Sequence, residues 1–119
     1  MLNARPAPAW PRLGLVRVHG LSMEPTARPG QLLLVRYGTA ARPGDLVVVD
    51  LPPDRSGRAR PPALKRLTRR EGQGMLWVES DNPGAPGAVD SWSLGALPAS
   101  ALRARVLAWL TPPQRIRRG

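Results

Sequence analysis

The chain has no cysteine and a single histidine, His19, among its 119 residues. An ordinary transition-metal centre needs several thiolate or imidazole ligands, so none is expected here and no cofactor is required. Aromatic side chains make up only 4%, and no helix-turn-helix, zinc-finger or base-stacking signature is present. Apolar runs such as Leu32 to Val35 and Leu46 to Val49 stop after four residues, against about twenty needed to cross a bilayer. Prolines at 6, 8 and 11 together with Arg5 interrupt the N-terminus, which has no apolar core of the secretion-signal type. A cytoplasmic location and a soluble substrate are therefore expected. Contact with a membrane surface stays open, without a span. Lysine is almost missing too: of 18 basic residues, Lys65 is the sole lysine.

What is abundant is arginine, proline and glycine. The net charge of +10 would suit a basic nucleic-acid-binding module without catalysis. The arginines are scattered over expected strands and loops, however, so general arginine bias accounts for the charge and no nucleic-acid partner is expected. Charge of this sign can also attract an acidic leader peptide or an anionic membrane surface. Fifteen prolines and 12 glycines favour a loop-rich β fold over a helical one. A chain of this length holds one core, giving a single domain over residues 1–119 with loose tails at 1–11 and 112–119.

Alternation and short β-branched runs predict strands at Leu13 to Val18, Gln31 to Tyr37, Leu46 to Leu51, Ala63 to Arg69, Met75 to Glu79 and Leu102 to Leu110. The last is ambiguous, because Ala101-Leu102-Arg103-Ala104 could also begin a helix. Pro52 to Pro62 reads as a flexible surface loop and Ser80 to Ser91 as a second long loop. Trp77, on an alternating strand, is expected in the core; Trp10, Trp92 and Trp109 are left open between core, pocket wall and interface. The fold class is mainly β, a small twisted antiparallel domain.

Two residues carry candidate chemistry. Ser22 lies in Ser22-Met23-Glu24-Pro25-Thr26, and Lys65 follows 43 residues later. Arginine stays protonated, whereas a desolvated ammonium can lose its proton and act as a base. A neutral amine within reach of a serine hydroxyl can take its proton as it attacks a carbonyl. Bringing a lysine from about 10.4 to roughly 7 or 8 requires about 4 kcal/mol. Strand alternation puts Lys65 beside Ala63 and Leu67, an apolar setting, with Leu64, Arg66 and Thr68 on the other face. Taken singly, Ser22 reads as a turn residue, Lys65 as a solvated charge, and both Asp81-Asn82 and Asp90-Ser91 as turn or capping residues.

Taken together, the blocks carry a resemblance. Gly20-Leu21-Ser22-Met23-Glu24-Pro25-Thr26 resembles the nucleophile box of the signal peptidase I and LexA-like Ser/Lys peptidases. Arg42-Pro43-Gly44-Asp45-Leu46-Val47-Val48-Val49 resembles the next box, Lys65-Arg66-Leu67 the lysine box, and Asp81-Asn82 with Asp90-Ser91 the last. The resemblance implies a serine endopeptidase with Ser22 as nucleophile and Lys65 as base. It also implies an oxyanion site built on the Ser22 backbone N–H, with Gly20 offering only backbone where some relatives carry a hydroxyl. Met23, Pro25, Asp81, Asn82, Asp90 and Ser91 would support the site, Met23 as core or pocket wall and Pro25 as a turn former.

Departures from the family pattern are confined to a few positions. Ser80 replaces a glycine, Ala88 stands where a later serine belongs, Trp92 replaces an arginine, and Gln31 replaces an aspartate. In the family that serine commonly bonds the lysine and that arginine pairs with the neighbouring aspartate, so both tasks are undone or reassigned here. His19 is three residues before Ser22 but reads as a packed or exposed strand residue rather than a triad member.

Within the family, a minimal chain with this box resembles the nickel-type superoxide dismutase maturation proteases. That implies a leader-bearing dismutase precursor as partner, with the metal belonging to the substrate. Signal-peptidase-like processing of other, exported preproteins is the alternative. A self-cleaving LexA-like regulator would need a DNA-binding head that the N-terminal stretch 1–11 cannot form.

Overall fold

The computed structural model describes residues 11–111. Trp10 and the expected tails, apart from Pro11, lie outside them. All six expected strands form, each within two residues of its expected bounds: β1 Arg12–Arg17, β2 Leu32–Tyr37, β3 Leu46–Val49, β4 Ala63–Glu71, β5 Met75–Glu79 and β6 Leu102–Trp109. They make one antiparallel sheet in the order β1-β2-β6-β3-β4-β5. A four-residue helix, α1 (Ser91–Leu94), and a 3-10 turn at Ala99–Ala101 complete the described elements. The ambiguity at Ala101 to Ala104 resolves accordingly: the helical tendency ends in that one turn, and β6 begins at Leu102.

The uninterrupted apolar run of β3 reflects its place inside the sheet. All four of its residues are buried, because both faces are covered. Leu46 and Val48 join a cluster with Val18, Met23, Leu33, Val35 and Ala104. Val47 and Val49 join a second with Leu67, Leu76, Val78 and Leu97. Fully burying each such side chain contributes about 1.5 to 3 kcal/mol, so β3 is the strand on which both layers depend.

One expectation is corrected. Trp77 is not core: the alternation of β5 buries Leu76 and Val78 and leaves Trp77 half-exposed. There Arg69 stacks over its ring at 4.2 Å and Trp92 meets it edge-on at 5.1 Å. Glu79 accepts hydrogen bonds from both indoles, at 3.1 and 2.9 Å. Trp92 is itself 70% exposed. Trp109 is also largely exposed, its indole donating to the Thr26 carbonyl at 3.0 Å.

The segment 52–62, expected as a flexible surface loop, lies largely exposed and holds a hydrogen-bonded turn. The Asp54 carboxylate accepts bonds from the Ser56 hydroxyl and from the Ser56 and Arg58 amides, and Arg60 closes the base by donating to the Pro52 carbonyl at 2.8 Å. Polar side chains that satisfy their own local backbone give such a segment a defined shape without a core of its own.

Candidate active site

The nucleophile box is the connection from β1 to β2. Past the end of β1, Val18 stays tied to the neighbouring chain, donating to Gln31 O at 2.9 Å and accepting from Gly30 at 2.8 Å. Gln31, in place of the family's aspartate, holds that turn: it is buried, and its side-chain oxygen accepts the Arg28 amide at 2.7 Å. Gly20 then takes a φ of +77°, a conformation that other residues adopt only with strain. The chain reverses over Leu21 to Ala27 through Glu24 N to Leu21 O and Ala27 N to Met23 O bonds. Met23 and Ala27 are 2% and 0% exposed and root the turn in the core, while Pro25 stays outside. Ser22, between the exposed Leu21 and the buried Met23, is half-buried.

Lys65 comes from β4, paired with Val47 of β3. As alternation predicted, it is buried with Leu67, at 3% exposure. Burial pushes its pKa below the ordinary lysine value, and the nearby Asp90 carboxylate offsets part of that. Its ammonium donates to Ser80 Oγ at 2.8 Å. The β4-β5 register pairs Arg66 with Glu79, so one step further along this antiparallel pair lies Ser80, opposite Lys65.

The run Ser80-Asp81-Asn82 connects lysine and serine. Asp81 receives Arg66 at 2.7 and 3.2 Å and the Thr26 hydroxyl at 2.5 Å, and its amide donates to Met23 Sδ at 3.3 Å. Asn82 donates from its backbone to Ser22 O at 2.8 Å and from its side chain to Leu21 O at 3.0 Å. Burial opposes ionisation of Asp81, but the bonds from Arg66 and Thr26 outweigh it and hold the carboxyl below the usual aspartate range.

Beneath this run, Asp90 accepts Ser80 N at 3.0 Å and caps α1 by accepting Trp92 N at 3.0 Å. Ser91 Oγ accepts Val78 N at 2.9 Å. Asp90 and Ser91 thus cap a turn and also hold the strand that presents Ser80.

Ser22 and Lys65 line the same cleft, about 690 Å³ in volume, floored by Val18, Met23, Tyr37, Val48 and Leu64. Among the described residues no hydrogen bond joins the two side chains, and Ser80 is the partner of the ammonium. Gly20 and His19 line this cleft as well, both exposed. Asp81, Asn82, Asp90 and Ser91 lie behind the pair rather than in the cleft.

Sequence reasoning missed three parts of this arrangement. Ser80 was a departure from pattern rather than a partner, and Arg66 and Thr26 were not assigned to Asp81. The signal for the first was available in the strand register, since extending the expected antiparallel pairing of β4 and β5 brings residue 80 to residue 65.

The family model described as Peptidase S24-like matches residues 8–89, which holds Ser22, Lys65 and the Ser80-Asp81-Asn82 run. No curated protein matches the chain, and no solved structure does.

Proposed function

The chain belongs to the Peptidase S24-like family and is a serine-type peptidase, and from that premise we propose that Ser22 is its nucleophile and Lys65 its general base. The observation that carries this reading is the placement of a buried lysine, its pKa lowered by desolvation, on the wall of the cleft that Ser22 lines. Lys65 in its neutral form accepts the Ser22 proton as Oγ attacks the peptide carbonyl. The proton then passes to the leaving amine, and water hydrolyses the acyl-enzyme. The Ser22 backbone N–H faces the oxyanion, a donor whose loss typically costs about 3 to 4 kcal/mol; Gly20 contributes backbone only. The bond from Nζ to Ser80 fixes the base, and catalytic contacts that are loose without substrate tighten once it binds.

The substrate we propose is a leader-bearing precursor, a nickel-type superoxide dismutase being the expected one, bound extended along the β1 edge. The test is mass spectrometry of that precursor after incubation with the wild-type chain, Ser22→Ala and Lys65→Ala. Single-site leader removal by wild type alone is the expected result. Cleavage by Ser22→Ala would end the proposed scheme, and cleavage of other preproteins in preference to this one would redirect the substrate assignment.

A further inference from the structure

The cleft is charged on one side of the ledger. Arg17, Arg60 and Arg103 line it together with Lys65, and among the described residues no aspartate or glutamate does. Some arginines outside the cleft answer carboxylates, as in Arg66 with Asp81 and Arg69 with Glu71, and others answer carbonyls, as in Arg70 with Gly74 and Ala41. Two of the cleft arginines are of the second kind. Arg17 donates to the Gly30 carbonyl at 2.7 Å, and Arg60 to the Pro52 and Pro53 carbonyls at 2.8 and 3.4 Å. Carbonyls fix a guanidinium in place and leave its charge unneutralised. Only Arg103 has a carboxylate, Asp50 at 3.6 Å, in an exposed pair that contributes little.

Arg60 is the most constrained of the three. It is half-buried, stands at the base of the Asp54 turn, and is followed by Pro61 and Pro62 on the way to Lys65. A pre-positioned guanidinium with free donors beside an apolar floor suits a carboxylate, which it can bind in two-pronged fashion.

We propose that the cleft selects an acidic peptide: an apolar side chain on the floor and aspartate or glutamate within a few residues of it, read by Arg60 and Arg103. This deepens the peptidase reading and rests on it for the cleft's role, but it concerns which peptide binds rather than which residues react. It also separates local charge in the cleft from the general excess of +10, which would attract any polyanion.

The test uses the full chain carrying Ser22→Ala, so that binding is read without turnover. The probes are fluorescent twelve-residue peptides that share an apolar centre and differ only in flanking glutamate, glutamine or lysine. Anisotropy should show the glutamate peptide binding about tenfold more tightly than the glutamine one, with the lysine peptide weakest and the advantage shrinking as salt rises. Arg60→Gln and Arg103→Gln should each reduce the glutamate preference several-fold, whereas Arg42→Gln, on an exposed turn outside the cleft, should leave it intact.

Equal binding of glutamate and glutamine peptides, or an equal loss in Arg42→Gln, would overturn the proposal. The comparison of Arg103→Gln with Arg42→Gln decides the matter even if Arg60→Gln disturbs its loop, because the two variants lower the net charge equally and only one alters the cleft. Digestion of the same peptides by the wild-type chain keeps the two readings apart: Ser22-dependent cleavage without charge preference removes only the acidic selectivity, while selective binding without cleavage supports the selectivity and counts against the dyad.

Discussion

Replacing Ser80 with alanine perturbs the candidate base without touching the nucleophile. It removes the bond from Lys65 Nζ at 2.8 Å, the ammonium's hydrogen bond in a residue only 3% exposed. A hydrogen bond to a charged group contributes about 1.5 to 3 kcal/mol, and one between neutral groups about 1. The serine hydroxyl can serve both forms of the amine, accepting from the ammonium or donating to the neutral nitrogen. Only the difference, roughly 0.5 to 2 kcal/mol, acts on the titration, which lowers the Lys65 pKa by a further ~0.4 to 1.5 units. In the proposed mechanism Lys65 works when neutral, so activity should rise as pH climbs through its pKa, and a lower pKa moves that limb to lower pH. The plateau should fall about 10- to 100-fold because Nζ is no longer held in place. The assay is the pH dependence of kcat/KM for wild type, Ser80→Ala and Ser80→Thr on one peptide substrate. Ser80→Thr, which keeps a hydroxyl, should recover most of the limb position. An unmoved limb with an unchanged plateau, or a limb shifted to higher pH, would refute the reasoning.

Other perturbations read the same framework through stability. Because Lys65 binds its proton less readily folded than unfolded, folding should become more favourable as pH rises from its folded pKa towards the ordinary lysine value, by about 1.4 kcal/mol per unit of depression. Lys65→Met should abolish activity and flatten that slope in urea unfolding measured at several pH values. Asp81→Asn weakens three side-chain bonds, to Arg66 and Thr26, and should cost about 2 kcal/mol at neutral pH in denaturant unfolding. In wild type the same contribution, present above the usual aspartate range, should be lost as pH falls through the lowered Asp81 pKa. Met23→Ala opens a cavity beneath the nucleophile turn and takes away the acceptor of the Asp81 amide. It should cost about 2 to 5 kcal/mol and lower activity even where the protein remains folded.

The strands were legible because each carries its own pattern: the runs at Leu46 to Val49 and Leu32 to Val35 are too short for helices between proline and glycine turns, and the first is β-branched besides. What one strand's pattern does not tell is its neighbour. The placement of β6 between β2 and β3 joins residues far apart in the chain, and nothing local in Leu102 to Trp109 announces it. The Trp77 error has the same origin. Alternation alone gives two faces, and only the partners of β5 decide that Leu76 and Val78 point inward.

At the site, Ser22 and Lys65 stood out through residue type and order, but the support around the lysine did not. The sequence pattern assigns that support to position 88, where this chain has alanine. In the structure the hydroxyl comes from Ser80, a position that the pattern fills with glycine. The exchange is possible because β4 and β5 run antiparallel in a register that sets residue 80 opposite residue 65, so a hydroxyl there reaches Nζ across the strands without any contribution from the 83–89 loop. The arginine missing at position 92 is not replaced in kind: the aspartate beside that position, Asp90, accepts the Ser80 and Trp92 amides instead. Trp92 sits in the surface cluster with Trp77 and Glu79. The exchange at Ser80 moves a side-chain task from a long loop to a position opposite Lys65 across the β4-β5 pair, where backbone pairing rather than loop conformation holds the group in place. That shift accounts for how a departure in the last box can leave Lys65 with a hydrogen-bond partner, and it is why the Ser80 variants, rather than changes at Ala88, probe the base.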